Sequence, residues 1–123
     1  MINFKRLLNS FRYASAGFRF AFRNDQNLII HIAIAFIVIL FGLLFRMSRF
    51  EIITLSTMIV LVLVAEMINT SIEKIVDLIT TEYHQSAKIA KDVSSAMVLL
   101  TAIGASAVGF IIFIPYIFDF ISF

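Results

Sequence analysis

The stretch LIIHIAIAFIVILFGLLF, Leu28 to Phe45, runs for 18 residues with His31 as its single ionisable group. A helix needs about 20 predominantly apolar residues to cross the hydrocarbon core of a bilayer, and this run approaches that length between polar flanks. Two further stretches repeat the pattern. Ile52 to Ala65 is uncharged for 14 residues, with helical periodicity continuing through Glu66 to Ile79, and Val93 to Phe118 is uncharged for 26. The chain therefore reads as an all-α integral membrane protein with transmembrane helices over 28–45, 52–79 and 93–118, in one membrane domain spanning 1–123. Composition agrees: 61% of the residues are hydrophobic, 15% are charged and the mean hydropathy is +1.00, more apolar surface than 123 residues can hide in water. The first stretch lies behind a long basic segment and leads into further spans, so it does not read as a cleaved signal.

Without cysteine, disulfides, thiolate metal sites and cysteine nucleophiles are excluded. The net charge of +2 gives no reason to expect a nucleic-acid partner. The placement of the cations is more informative. Five precede the first span (Lys5, Arg6, Arg12, Arg19, Arg23), two follow it (Arg46, Arg49) and three lie around the second connection (Lys74, Lys88, Lys91). By the positive-inside rule the N-terminus and the second connection face the cytosol, and the short Arg46 to Glu51 loop and the C-terminus face out.

Residues 1–24 project as an amphipathic helix. Phe4, Leu7, Leu8, Phe11, Ala14, Phe18, Ala21 and Phe22 share one face, while Lys5, Arg12, Arg19 and Arg23 cluster on another. Such a helix lies on the cytosolic leaflet with its phenylalanines at the acyl boundary and its cations among anionic headgroups. Arg6 and Tyr13 point away from both faces and are free for another task. The polar run Asn24, Asp25, Gln26, Asn27 breaks the pattern before the first span.

The second span carries the chemistry. Projected at about 100° per residue, Asn69, Thr70, Glu73 and Asp77 all fall within about 60° of Glu66. Three carboxylates, an amide and a hydroxyl thus share a stripe, with Glu66 about 10 Å deeper along the axis than Glu73. A charge at that depth costs at least about 2.5 kcal/mol on insertion scales, so acids there face a polar interior and usually serve a function. Pairing that merely fixes helix packing is the competing role for Glu66, and a solvated helix-end charge the competing role for Asp77. Hard oxygen ligands without histidine or cysteine company suit Mg²⁺ bridged to a phosphate, and the same stripe has an acid to spare as a general base. Glu82, Tyr83, His84, Lys88, Lys91 and Asp92 form a polar connection able to hold the rest of a nucleotide, with Asp77 on the same side. The glycines, at 17, 42, 104 and 109, make no phosphate loop. The small residues Ala102, Gly104, Ala105, Ser106, Ala107 and Gly109 permit close helix approach in the third span, and three thin helices alone bury little, which favours oligomers. A different class remains open: a small channel or assembly subunit with the acid stripe lining a pore. Against it, Ile52 to Ala65 offers only Thr54, Ser56 and Thr57 as polar groups.

The run from Glu66 to Asp77, EMINTSIEKIVD, followed by His84 and by Ala87 to Asp92, AKIAKD, resembles the signature of the prokaryotic diacylglycerol kinases. The likeness covers nearly the whole chain. Asn27 with His31, and the ending Gly109 to Pro115, look more like the undecaprenol kinases of Gram-positive type. The resemblance implies a homotrimer with shared sites, in which the γ-phosphoryl of ATP passes with Mg²⁺ to a lipid hydroxyl at the cytosolic interface. Undecaprenol comes first as acceptor and a diacylglycerol second. It implies Glu66 as general base, Glu73 and Asp25 as Mg²⁺ ligands, and Arg6, Tyr13, Glu82, Tyr83, His84, Lys91 and Asp92 on ATP. Arg19 and Ser95 then lie near the lipid, where Asn69 is also expected. The family usually has Glu where this chain has Asp25, shorter by one methylene.

Overall fold

A computed structural model describes residues 2–122, so Met1 and Phe123, at the two ends of the expected domain, lie outside the described residues. Asn3 starts the first helix by accepting from the Arg6 amide at 3.1 Å, and α1 then runs Phe4–Asn24. The break expected over four polar residues is a single one. Asp25, in extended conformation, ends α1 and begins α2, Gln26–Leu44, by accepting from the Asn27 and Leu28 amides. One carboxylate oxygen thereby satisfies two of the donors that a helix start leaves unpaired.

α2 closes in a tight turn. The Met47 amide donates to the Gly42 carbonyl and the Arg46 amide to the Leu43 carbonyl, a Schellman motif with Arg46 in the left-handed region at φ 54°. Beside the turn α2 and α3 approach closely, and a Cβ at Gly42 would meet Ile52 Cδ1 at 2.8 Å. Ser48 and Glu51 then form a capping box that opens α3, Arg49–Ile79. The second connection is short, Thr80 to His84, and α4 follows as Gln85–Ile121. Lys88, Lys91 and Asp92, expected in the connection, are helical, because the apolar spacing of α4 continues back to Ala87.

The fold is all-helical, with α2, α3 and α4 each long and apolar enough to cross a membrane. At about 1.5 Å per residue, α2 is about 28 Å long, close to the hydrocarbon thickness, while α3 and α4 reach about 46 and 56 Å and must project beyond it. α3 is the axis: α2 and α4 both pack against it, and α1 touches α2 and α3. Leu55, Val62, Ala65, Glu66 and Asn69 form its buried seam. No backbone packing joins α2 to α4 among the described residues, so a groove floored by α3 runs between them. Phe45 closes one end of it, with Phe113, Tyr116 and Phe120 at ring-centroid distances of 6.0 to 6.3 Å. The face of α1 carrying Phe4, Leu8 and Phe11 is exposed, as the amphipathic pattern requires of a helix whose apolar side meets something other than its own chain.

Candidate functional site

The site lies where the polar stripe of α3 meets the start of α2 and the buried face of α4. Glu66 is 1% exposed, the most buried charged residue described. Neither of its carboxylate oxygens has a hydrogen-bond partner among the described residues. His31 Nε2, from α2, is 3.2 Å from Oε1, within ion-pair distance but off the line of a hydrogen bond. A buried carboxylate normally has its lone pairs engaged, and leaving it bare costs more than leaving a neutral group bare.

Its neighbours are committed elsewhere. Asn69, also buried, donates from Nδ2 to Glu73 Oε1 at 3.2 Å and accepts from Ser94 Oγ at 2.6 Å. Thr70 Oγ1 lies 2.7 Å from Asp25 Oδ2 and 3.1 Å from the Glu66 carbonyl, so its single proton serves one of the two at a time. Asp25 thus caps α2 with one oxygen and docks α2 against α3 with the other. Further along α3, Asp77 is paired with Lys91 of α4, and Lys88 with Asp92. The first pair ties the two helices together beyond the short connection. Lys74 lies over the Phe20 ring at 5.5 Å, which holds α1 to α3.

The sequence-derived residues divide into two sets. Glu66, Asn69, Glu73 and Asp25 come together, and Ser95 joins Asn27, His31, Glu66 and Asn69 in lining a cleft of about 330 Å³. Asp77, Lys91 and Asp92 lie beyond them at the projecting ends of α3 and α4. Arg6, Tyr13 and Arg19 on α1, and Glu82, Tyr83 and His84 in the connection, are exposed and make no side-chain hydrogen bond or ion pair with the acid stripe among the described residues. Two participants went unassigned in the sequence. Ser94, 2% exposed, fixes Asn69 from α4. His31 reaches Glu66, and its signal was present as the one ionisable group of the first span.

From His31 the cleft leads into the groove between α2 and α4, about 510 Å³, walled by Ile34, Val38 and Phe41 on α2 and by Ala102, Ala105 and Gly109 on α4. Apart from His31 only Ser106 among its lining residues is polar. A continuous wet path through the bundle is therefore lacking along this groove, while a polar head with an apolar tail fits both compartments at once.

Among the described residues no group of three His, Cys, Asp or Glu side chains gathers to hold a metal by itself. Asp25 and Glu73 are the charged neighbours of Glu66 and are hard oxygen donors. Two carboxylates fit Mg²⁺, which usually binds through one or two of them together with substrate phosphates and water.

The prokaryotic diacylglycerol kinase family profile matches residues 12–113. The chain is 40% identical over 110 residues to a diacylglycerol kinase of Synechocystis sp., an alignment covering 89% of this chain and 63% of that protein's length. It is 34% identical over 110 residues to an undecaprenol kinase of Bacillus subtilis, covering 89% of each. With a diacylglycerol kinase of Pseudomonas aeruginosa it shares 36% identity over 101 residues, covering 80% of this chain and 82% of that protein.

Proposed function

The chain belongs to the prokaryotic diacylglycerol kinase family and is by that membership a lipid kinase; we propose that it transfers the γ-phosphoryl of ATP to the hydroxyl of undecaprenol at the cytosolic membrane interface. The observation that carries this reading is the union, between His31 and Ala102, of a polar cleft containing a bare, buried carboxylate with an apolar groove. A lipid alcohol lies with its hydroxyl at Glu66 and its tail between α2 and α4.

Glu66 accepts the hydroxyl proton as the acceptor oxygen bonds to the γ-phosphorus. The bond from that phosphorus to the β-γ bridging oxygen breaks, and ADP leaves. Asn69, held from both sides by Glu73 and Ser94, orients the acceptor, and Ser95 lines the same cleft. Asp25 and Glu73 hold Mg²⁺, which when bound neutralises phosphate charge. Lys91, Asp92, Asp77, Arg6, Tyr13, Glu82, Tyr83 and His84 form the nucleotide side, and Arg19 lies near the lipid. α1, whose apolar face is uncovered, rests on the leaflet, and the subunits assemble as a trimer. A cytosolic position for the site, and for the N-terminus with it, is supported by the eight cations near the Glu66 end against two at the Arg46–Arg49 turn.

Undecaprenol is placed first because of Asn27 and His31, both lining the cleft. Diacylglycerol is the second reading, supported by the 40% identity to the Synechocystis enzyme. Purified protein given ATP, Mg²⁺ and either undecaprenol or dioleoylglycerol in the same micelles decides. Preferred phosphorylation of undecaprenol supports the first, of dioleoylglycerol the second, and phosphorylation of neither removes both.

A further inference from the structure

His31, with Ala102 of α4 opposite, lines both the polar cleft and the apolar groove, and it is the polar one of the two. We propose that it is a positioning residue, holding the Glu66 carboxylate in the orientation that receives the acceptor proton. The inference rests on the reading of Glu66 as general base.

A base must present an oxygen to the proton within about 2.6–3.2 Å of the donor atom, in a defined direction. No side chain of α3 bonds to that carboxylate: Asn69 is turned to Glu73 and Ser94, and the Thr70 hydroxyl to Asp25 and the Glu66 main chain. Asp25 and Glu73, the other charged groups nearby, repel a carboxylate. The imidazole is the group that approaches, 3.2 Å from Oε1. An N–H at Nε2 that turns onto Oε1 occupies one oxygen and leaves Oε2 for the acceptor. The register of α2 supports a second task. Asn27 and His31, one turn apart, line the cleft, and Ile34, Ala35 and Val38 continue along the groove. The carbons next to the acceptor hydroxyl must therefore pass the imidazole before the tail enters the groove.

The test uses the full-length protein in micelles with undecaprenol, or with dioleoylglycerol if that is the better acceptor. His31→Leu should lower kcat about 10²-fold, the cost of a misplaced reacting group, while KM for MgATP stays unchanged. His31→Gln, which keeps a side-chain N–H, should recover most of the loss, a rescue that a purely structural role does not give. Because the chain has only two histidines, ring ¹⁵N resonances are readily told apart. Those of His31 should move in Glu66→Gln while those of His84 do not. This second readout decides the matter if His31→Leu fails to fold. Wild-type turnover in His31→Leu, no better turnover in His31→Gln than in a folded His31→Leu, or His31 resonances indifferent to Glu66→Gln would overturn the proposal. If Glu66→Gln is inactive in the same assay, such a result removes the role of His31 alone; an active Glu66→Gln removes the base itself.

Discussion

The α3 helix carries a carboxylate near each end of its membrane crossing, and the two are treated in opposite ways. Glu51 Oε2 accepts from the Ser48 amide at 2.8 Å and from the Tyr116 hydroxyl at 2.7 Å, completing a capping box and clamping the start of α3 to the end of α4. Glu66, about 22 Å further along the helix, is more deeply buried and has no hydrogen bond to either oxygen among the described residues. A carboxylate that helps hold a structure together is bonded to it. One that is buried and left bare lowers stability, and such groups persist where chemistry needs the free lone pairs. The contrast separates an end that organises the bundle from the end to which we assign the chemistry.

The largest expected effect is at the Glu66 end. Glu66→Gln should lower phosphorylation by about 10² to 10⁴-fold, the usual worth of a general base. Its thermal midpoint should be unchanged or higher, because a neutral amide is cheaper to bury than an unpaired charge. Activity and a melting curve on one preparation check both, and a large fall in midpoint would make Glu66 structural after all.

Next comes the pair beside it. Glu73→Gln and Asp25→Asn should each raise the Mg²⁺ concentration needed for half-maximal rate by about tenfold or more, and the double variant should lose less than the product of the two. Asparagine is as good an N-cap as aspartate, so Asp25→Asn isolates the charge from the cap. Titration of activity against Mg²⁺ checks this, and an unchanged requirement in Asp25→Asn leaves Asp25 as cap and dock only.

At the organising end the effects should be on stability. Glu51→Ala loses the capping box and the Tyr116 clamp together and should lower the thermal midpoint by several degrees, with the rate per folded molecule retained. Tyr116→Phe should reproduce part of the fall. The smallest effect is expected at the turn. Arg46 holds a left-handed conformation that costs an ordinary L-residue about 1 kcal/mol, so Arg46→Gly should stabilise by up to that amount, as read from the midpoint.

How much was legible in the sequence follows the same division. Spans and the α3 stripe were readable because both depend on local periodicity, and the buried seam through Glu66 and Asn69 is the stripe seen from inside. The helical state of Lys88 to Asp92 was obscured because polar side chains at a membrane surface look the same on a projecting helix as in a loop. Long-range partners could not be read: Ser94 on Asn69, Thr70 on Asp25 and Tyr116 on Glu51 join positions 25, 45 and 65 residues apart. Each is a generic hydroxyl with no spacing to announce it. His31 stood out as a charge-capable group among apolar ones, but only the crossing of α2 over α3 shows that Glu66 is what it meets.

One measurement tests the account most directly: Glu66→Gln and Glu51→Gln assayed side by side for transfer of the γ-phosphoryl of ATP to undecaprenol and dioleoylglycerol, with the melting midpoint of each. Glutamine can still complete a capping box, so Glu51→Gln should keep its rate and give up some stability through the weakened Tyr116 contact, while Glu66→Gln should keep its stability and lose its rate. Near-normal transfer by Glu66→Gln, or a rate loss in Glu51→Gln to match it, would contradict the assignment of chemistry to the bare carboxylate.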